Sequence, residues 1–181
     1  MATPGWKTKS SWSILADMSE RLNEDLPDAL RTVRTRPLFV VRLDVPAILD
    51  IGATPGPNRR VGVVSGGVFE GERLSGVVLG SGADWQSIHA DGAATLDVRL
   101  VLKTNDGALI GMTYTGVRHG PAEVMARIAS GQTVDPSAYY FRMAARFETA
   151  APGYDWLNRI VAVGVGDRRS GGPVYSLFEV L

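Results

Sequence analysis

The stretch from Thr95 to Gly120, TLDVRLVLKTNDGALIGMTYTGVRHG, decides the fold class. Leu96, Val98, Leu100 and Leu102 alternate with Thr95, Asp97, Arg99 and Lys103. A period of two sends the two sets to opposite faces of a strand. Asn105-Asp106-Gly107 follows, a turn in which Gly takes the positive-φ position. Ala108 to Val117 is then the return strand of an antiparallel hairpin, with Ile110, Met112, Tyr114, Gly116 and Arg118 on one face.

The same rhythm runs outward in both directions. Upstream, strands are expected at Leu38 to Val45, Arg59 to Glu70, Arg73 to Leu79 and Ala83 to Ala90, with a Gly- and Pro-rich loop at Asp50 to Asn58. Gly62, Gly66 and Gly67 fall inside the second of these, as a bulge or sharp bend would require. Downstream, Pro121 to Ser130 has helical spacing at Val124, Met125 and Ile128, with Gly131 as a stop. Strands follow at Ala138 to Glu148, Trp156 to Gly166 and Pro173 to Leu181. The expected fold is all-β: an antiparallel up-and-down barrel of about nine or ten strands with one inserted helix. Closure removes the exposed edges that so many strands would otherwise present. A β-sandwich is the alternative. Residues 1–36 differ from the rest. Ile14, Leu15, Met18, Leu22 and Leu26 predict a helix from Ser10 to about Asp25, and Pro27 to Arg34 a second short one. The chain therefore divides into a helical extension, 1–36, and a barrel domain, 37–181.

Composition narrows the function classes. Nineteen basic residues balance nineteen acidic ones, which argues against nucleic acid or an anionic membrane as partner. There is no cysteine, so thiolate catalysis, thiolate metal sites and disulfides are excluded. Two histidines leave little for a metal centre, and none is expected. No apolar run is long enough to span a membrane, and no signal-peptide pattern occurs; a cytoplasmic location is the expectation. The chain contains no GxSxG elbow, Walker loop or dinucleotide fingerprint, so no cofactor is expected.

The motifs GGVFEG (66–71), GADWQ (82–86), LDVRLVLKTNDGALI (96–110), YYFR (139–142), RFET (146–149) and YDWLN (154–158) occur in that order. Together they resemble the domain-of-unknown-function 3237 family over about Pro37 to Leu181. The resemblance implies a calycin-like antiparallel barrel and says little about activity.

Barrels of this size hold one small ligand in the lumen. The residues themselves offer several candidates. Asp97 and Arg99 share one strand face, and Tyr114 stands on the paired strand. Facing inward, Asp97 would serve as general base, Arg99 as an oxyanion partner and Tyr114 as proton donor. Facing outward, Asp97 and Arg99 are a surface ion pair. His119, at the strand-to-helix junction, titrates near neutrality and is a second acid–base candidate. Tyr140 and Arg142 offer an aromatic and basic lining, while Trp85 and Trp156 would serve as aromatic walls or barrel plugs. Asn158, two residues from Trp156, would polarise a carbonyl.

Two functions compete. One is a cofactor-independent enzyme of proton-transfer type (isomerase, hydratase, lyase or cyclase) acting on a small, partly apolar carbonyl or aromatic compound. The other is a non-catalytic carrier of a lipophilic molecule. They differ in chemistry, because a carrier needs no titratable group in its lumen. A homodimer is compatible with long strands and an added helix.

Overall fold

Among the described residues, eleven strand segments form one continuous antiparallel sheet that closes on itself. The computed structural model describes residues 24–181. The segments are β1 (Thr35–Asp44), β2 (Ala47–Ala53), β3 (Asn58–Val64), β4 (Gly66–Glu70), β5 (Ser75–Val78), β6 (Gly82–Ile88), β7 (Ala94–Thr104), β8 (Leu109–His119), β9 (Tyr140–Glu148), β10 (Ala162–Arg169) and β11 (Gly172–Val180). Their order in the sheet is β2-β3-β6-β7-β5-β4-β1-β11-β10-β9-β8, and β8 pairs back onto β7.

That order is a meander interrupted by bends. β1 continues into β2, β3 into β4 and β5 into β6, each across a break of one to three residues. The barrel is closed by β1, β4, β5, β7, β8, β9, β10 and β11, an eight-stranded antiparallel wall. β2, β3 and β6 carry the sheet beyond one end of it as a three-stranded flap, with β6 paired to the first half of β7. The segment count exceeds the expected nine or ten because a bend splits the strand expected over Arg59 to Glu70 and because β2 stands where the sequence predicts no strand. The predicted loop from Asp50 also begins within β2: Asp50 pairs with Arg60 and Gly52 with Arg59. The Pro-rich end of that loop masks the strand in the sequence.

Alternation along the wall fills the barrel. Leu38, Val41, Leu43, Leu96, Val98, Leu100, Leu102, Ile110, Met112, Phe141, Met143 and Leu177 are buried, while residues between them on β7, β8 and β9 face solvent. A single helix, α1 (Ala122–Ala129), spans the β8–β9 connection and packs Val124, Met125 and Ile128 on the core. It falls where the sequence predicts it. The strand expected from Trp156 is instead a 3₁₀ helix over Pro152–Arg159, and β10 begins only at Ala162. Leu157 is fully buried there and Trp156 packs beside it, so the segment plugs the lower end of the barrel. Earlier in the chain, Asp28–Leu30 forms one 3₁₀ turn. The helix expected from Ser10 falls on residues before 24, outside the described residues. No helix among the described residues is long and apolar enough to cross a membrane.

The lower end is fastened by charge. Glu179 on β11 is buried, and its Oε2 accepts from Arg36 at 2.7 Å and from Arg73. Arg73 also lies 3.9 Å over the Trp156 ring. Burial raises the Glu179 carboxyl, but the hydrogen bonds and charges of the two arginines outweigh it and hold the group below its ordinary value. The stability it supplies is therefore present above about pH 4.5 and lost as pH falls through the lowered native value. Glu179→Gln is expected to cost about 1 kcal/mol at pH 7, since Arg36 is half exposed and its pairing is screened by water. Urea unfolding at pH 7 and pH 4 checks this: the gap between variant and parent narrows at the lower pH.

Candidate functional site: the polar end of the barrel lumen

The end of the barrel nearest the flap differs chemically from the apolar lumen below it. On β6, Asp84 and Gln86 point inward and Trp85 points out, half exposed. Asp84 is paired across the sheet with Gly62 on β3 and Val98 on β7. A Cβ on Gly62 would lie 3.5 Å from the Asp84 Cβ and 3.3 Å from Val45, so this glycine gives the carboxyl its space. Gln86 Nε2 donates to Asp84 Oδ2 at 2.5 Å, and Gln86 Oε1 accepts from Arg60 Nε at 2.7 Å. A relay of Arg60, Gln86 and Asp84 thus descends from the flap into the lumen.

β8 supplies the facing side. Tyr114 and Arg118 are both buried and point inward, four residues apart on one strand face. Arg118 lies 5.5 Å over the Phe141 ring. Tyr175 of β11 completes the group. Its ring packs edge-on to Tyr114 at 5.5 Å and to Phe141 at 5.1 Å. Gly166 on β10 permits this stack, because a Cβ there would come within 2.5 Å of Phe141 and 2.8 Å of Tyr175. Nearby, Tyr139 accepts a hydrogen bond from the Arg168 backbone N–H at 2.7 Å and donates to Asp167 at 3.4 Å.

Two polar atoms of this cluster are buried without a hydrogen-bond partner: Asp84 Oδ1 and Arg118 Nε. Burial pushes the Asp84 carboxyl up to about 6, against the opposing effects of Gln86, Arg118 and Arg60, and Asp97 adds to the rise from the outer face. Burial, reinforced by Arg60 and Arg168, lowers the Arg118 guanidinium. Both buried phenols are raised, Tyr114 well above its ordinary value, so both stay protonated at neutral pH. The arrangement combines a carboxyl poised near neutrality, a cation beside it and two phenolic donors.

Of the residues singled out from sequence, Tyr114 alone lies in this cluster. Asp97 and Arg99 are exposed on the outer face of β7, in a groove of about 610 Å³ that Thr113, Ala144 and Arg146 also line. The inward reading of that face is corrected. The leucines and valine of β7 fill the lumen because apolar burial dominates there, and register then sends Asp97 and Arg99 to solvent. His119, Tyr140 and Arg142 do come together, but outside: His119 stacks on Tyr140 at 5.0 Å, and Arg142 lies 5.0 Å over the same ring. Trp85 is also on the outer face, and Trp156 belongs to the lower plug. Asn158 accepts from the Thr149 N–H at 2.8 Å and donates to the Thr149 carbonyl at 2.9 Å, bracing the 3₁₀ segment far from the polar end.

Sequence reading passes over Asp84, Gln86, Arg60 and Tyr175 as site residues, and places Arg118 on the Tyr114 face of its strand without a role. One signal is present. In GADWQSI the polar residues occupy the positions that face the lumen and the tryptophan faces out, an inversion of ordinary alternation. Among the described residues no group of three or more His, Asp or Glu side chains is placed to hold a metal ion.

The chain matches the family described as "Protein of unknown function (DUF3237)" over residues 33–180. It is 33% identical over 150 residues to a UPF0311 protein of Rhodopseudomonas palustris, covering 83% of this chain and 98% of the relative. The crystal structure of a conserved protein of unknown function from that organism superposes with a TM-score of 0.81 at 33% identity, over 83% of this chain and 99% of the other. A β-barrel-like protein from Acinetobacter baumannii AYE is similar at 39% identity and TM-score 0.73, over 83% and 97% of the two chains. A Penicillium herquei protein described as an enzyme shares the fold at 20% identity and TM-score 0.65, over 86% and 100%.

Proposed function

The chain belongs to the DUF3237 family of proteins of unknown function, and from that premise we propose that it is a proton-transfer enzyme whose acid–base group is Asp84. The observation that carries the proposal is the Asp84 carboxyl itself: buried in the polar end of the lumen, one oxygen unpartnered, and pushed up to about 6. A general acid or base works best when its pKa lies near the operating pH. A group ionised in part at neutrality both gives and takes a proton.

The reaction class follows from the neighbours. Asp84 gives a proton to, or takes one from, a carbon or oxygen of a small carbonyl or aromatic compound. Negative charge on the substrate is held by Arg118 and by the phenolic hydroxyls, and the balancing proton transfer takes place at a different substrate atom. Isomerisation, elimination, hydration and cyclisation all reduce to such steps. Phe141, Tyr175 and Tyr139 form the buried aromatic side of the cluster. The carrier reading gains little from this lumen, because burying an Asp and an Arg is costly and does nothing for an apolar cargo. The fold accommodates catalysis in the fungal neighbour described as an enzyme, which is a likeness of scaffold alone.

Proton exchange tests this without the natural substrate in hand. The full chain is incubated in D₂O with a panel of small ketones and aromatic carbonyl compounds, and exchange of C–H for C–D is followed by NMR. Catalysed exchange is expected for some of the panel. The rate should follow an ionisation near pH 6 and fall by a factor of about 10² to 10⁴ in Asp84→Asn. An Asp84 carboxyl that titrates near 4 in the native protein, or exchange indifferent to Asp84→Asn, overturns the proposal.

A further inference from the structure

The charges at the polar end do not balance. Arg60 from β3, Arg118 from β8 and Arg168 from β10 act on one another, and each lowers or is lowered by its neighbours. Against them stand Asp84, the buried carboxylate, and the exposed Asp50 of β2, which acts on Arg60. The groups facing Asp84 are Gln86 on its own strand, Arg60 on β3, Arg118 and Tyr114 on β8, Tyr175 on β11, and Asp97 across the wall on β7. Asp167 sits at the end of β10 and is already engaged by Arg169 at 2.6 Å and by Tyr139.

Arg118 is the cation least served. It is 7% exposed, its Nε is buried without a partner, and among the described residues no carboxylate lies within ion-pair distance of it. An unpartnered Nε–H matters chemically. Nε and the adjacent Nη of a guanidinium form one of the two edges that match a carboxylate with two parallel N–H···O bonds. A single oxyanion would use only half of that edge. Asp84 does not fill the role, since its Oδ2 accepts from Gln86 and its Oδ1 has no partner.

We propose that the polar end of the lumen binds a small organic carboxylate, with both its oxygens on the Nε–Nη edge of Arg118, and that Asp84 takes up a proton as the carboxylate arrives. The inference rests on the acid–base reading of Asp84 and names the substrate class for it. A second negative charge beside Asp84 favours its neutral form. Above pH 6 the complex therefore forms from ionised Asp84, the carboxylate and one solvent proton. Asp84 enters the chemical step as the proton donor.

The experiment compares benzoate with its neutral isostere benzamide, by calorimetry on the full chain in two buffers of different ionisation enthalpy. Benzoate is expected to bind at least tenfold more tightly than benzamide at pH 6. At pH 7.5 its binding should take up close to one proton, and its affinity should fall by nearly tenfold per pH unit above 6. Arg118→Met should abolish the preference, and Arg142→Met, on the outer face, should leave it intact. Should Arg118→Met fail to fold, the benzoate–benzamide comparison in the parent chain decides alone. Equal affinity for the two probes, with Asp84 still titrating near 6 by carboxyl NMR, overturns the carboxylate site and spares the acid–base reading. Tight benzoate binding without proton uptake, with Asp84 still titrating near 6, overturns the coupling to Asp84 and spares the acid–base reading.

Discussion

Asp84→Asn is expected to leave the protein more stable at pH 8 than the parent while removing the proton-transfer activity proposed for it. The cause is a proton held differently by the folded and unfolded chains. The unfolded carboxyl has its ordinary value of 3.8, and burial in the fold pushes it up to about 6. Between those values the native state holds a proton that the unfolded state has released, so native stability falls as pH rises from about 4 to about 6. Above 6 the full cost of an ionised, buried carboxylate is present. A shift of about two units corresponds to at most about 3 kcal/mol, and relaxation around the site reduces it. Asn keeps the shape and an acceptor for Gln86 without the charge. It should add about 1–2 kcal/mol at pH 8, little at pH 4, and flatten the parent's decline between them. Urea unfolding across that range measures it. The sign is opposite to that of Glu179, whose contribution disappears as pH falls. A variant destabilised by the same amount at pH 4 and pH 8 would show that Asp84 is a structural hydrogen-bond acceptor and not a strained acid. Stability gained where activity is lost is the signature of a residue kept for chemistry.

The second large effect concerns the scaffold. Gly171 and Gly172 are neighbours in the β10–β11 turn, with φ of +84° and +153°. Both lie in backbone regions that disfavour a side chain, but their surroundings differ. A Cβ on Gly171 meets nothing within 4 Å, whereas one on Gly172 would sit 1.9 Å from the Leu43 carbonyl oxygen. Gly172 opens β11 where the wall closes against β1, and the Val45 N–H donates to the Gly171 carbonyl at 2.7 Å. No rotamer change relieves a clash with backbone. Gly171→Ala is expected to cost about 1–2 kcal/mol, the conformational penalty alone. Gly172→Ala adds the displacement of β1 from β11 and should cost about 4 kcal/mol or more, enough to unfold a protein of ordinary stability. Chemical denaturation of the pair measures the difference. Equal losses would mean that β1 and β11 move apart freely, and that barrel closure there contributes little.

Much of this molecule is legible before any coordinates. Val98, Leu100 and Leu102 against Asp97, Arg99 and Lys103 announce a half-buried strand, and Asn105-Asp106-Gly107 announces its hairpin. The helix at Ala122–Ala129 shows in the spacing of Val124, Met125 and Ile128. These are local properties, decided within a few residues by backbone sterics and side-chain period. The strand β2 and the 3₁₀ plug were not legible, because Ile48 and Leu157 acquire their places only from β3 and from the end of the barrel.

The site divides along the same line. Sequence alone determined an antiparallel, turn-rich barrel wall and placed Tyr114 and Arg118 on one strand face. Which face is the lumen, and which residues of distant strands meet there, only closure decided. Asp84 and Gln86 from β6, Arg60 from β3 and Tyr175 from β11 converge because the flap strands are carried on at the end of the eight-stranded ring. The burial that tunes Asp84 exists only where flap and ring meet. An aspartate in GADWQ is an ordinary acid in the extended chain, and the closed wall that removes its water makes it a poised one.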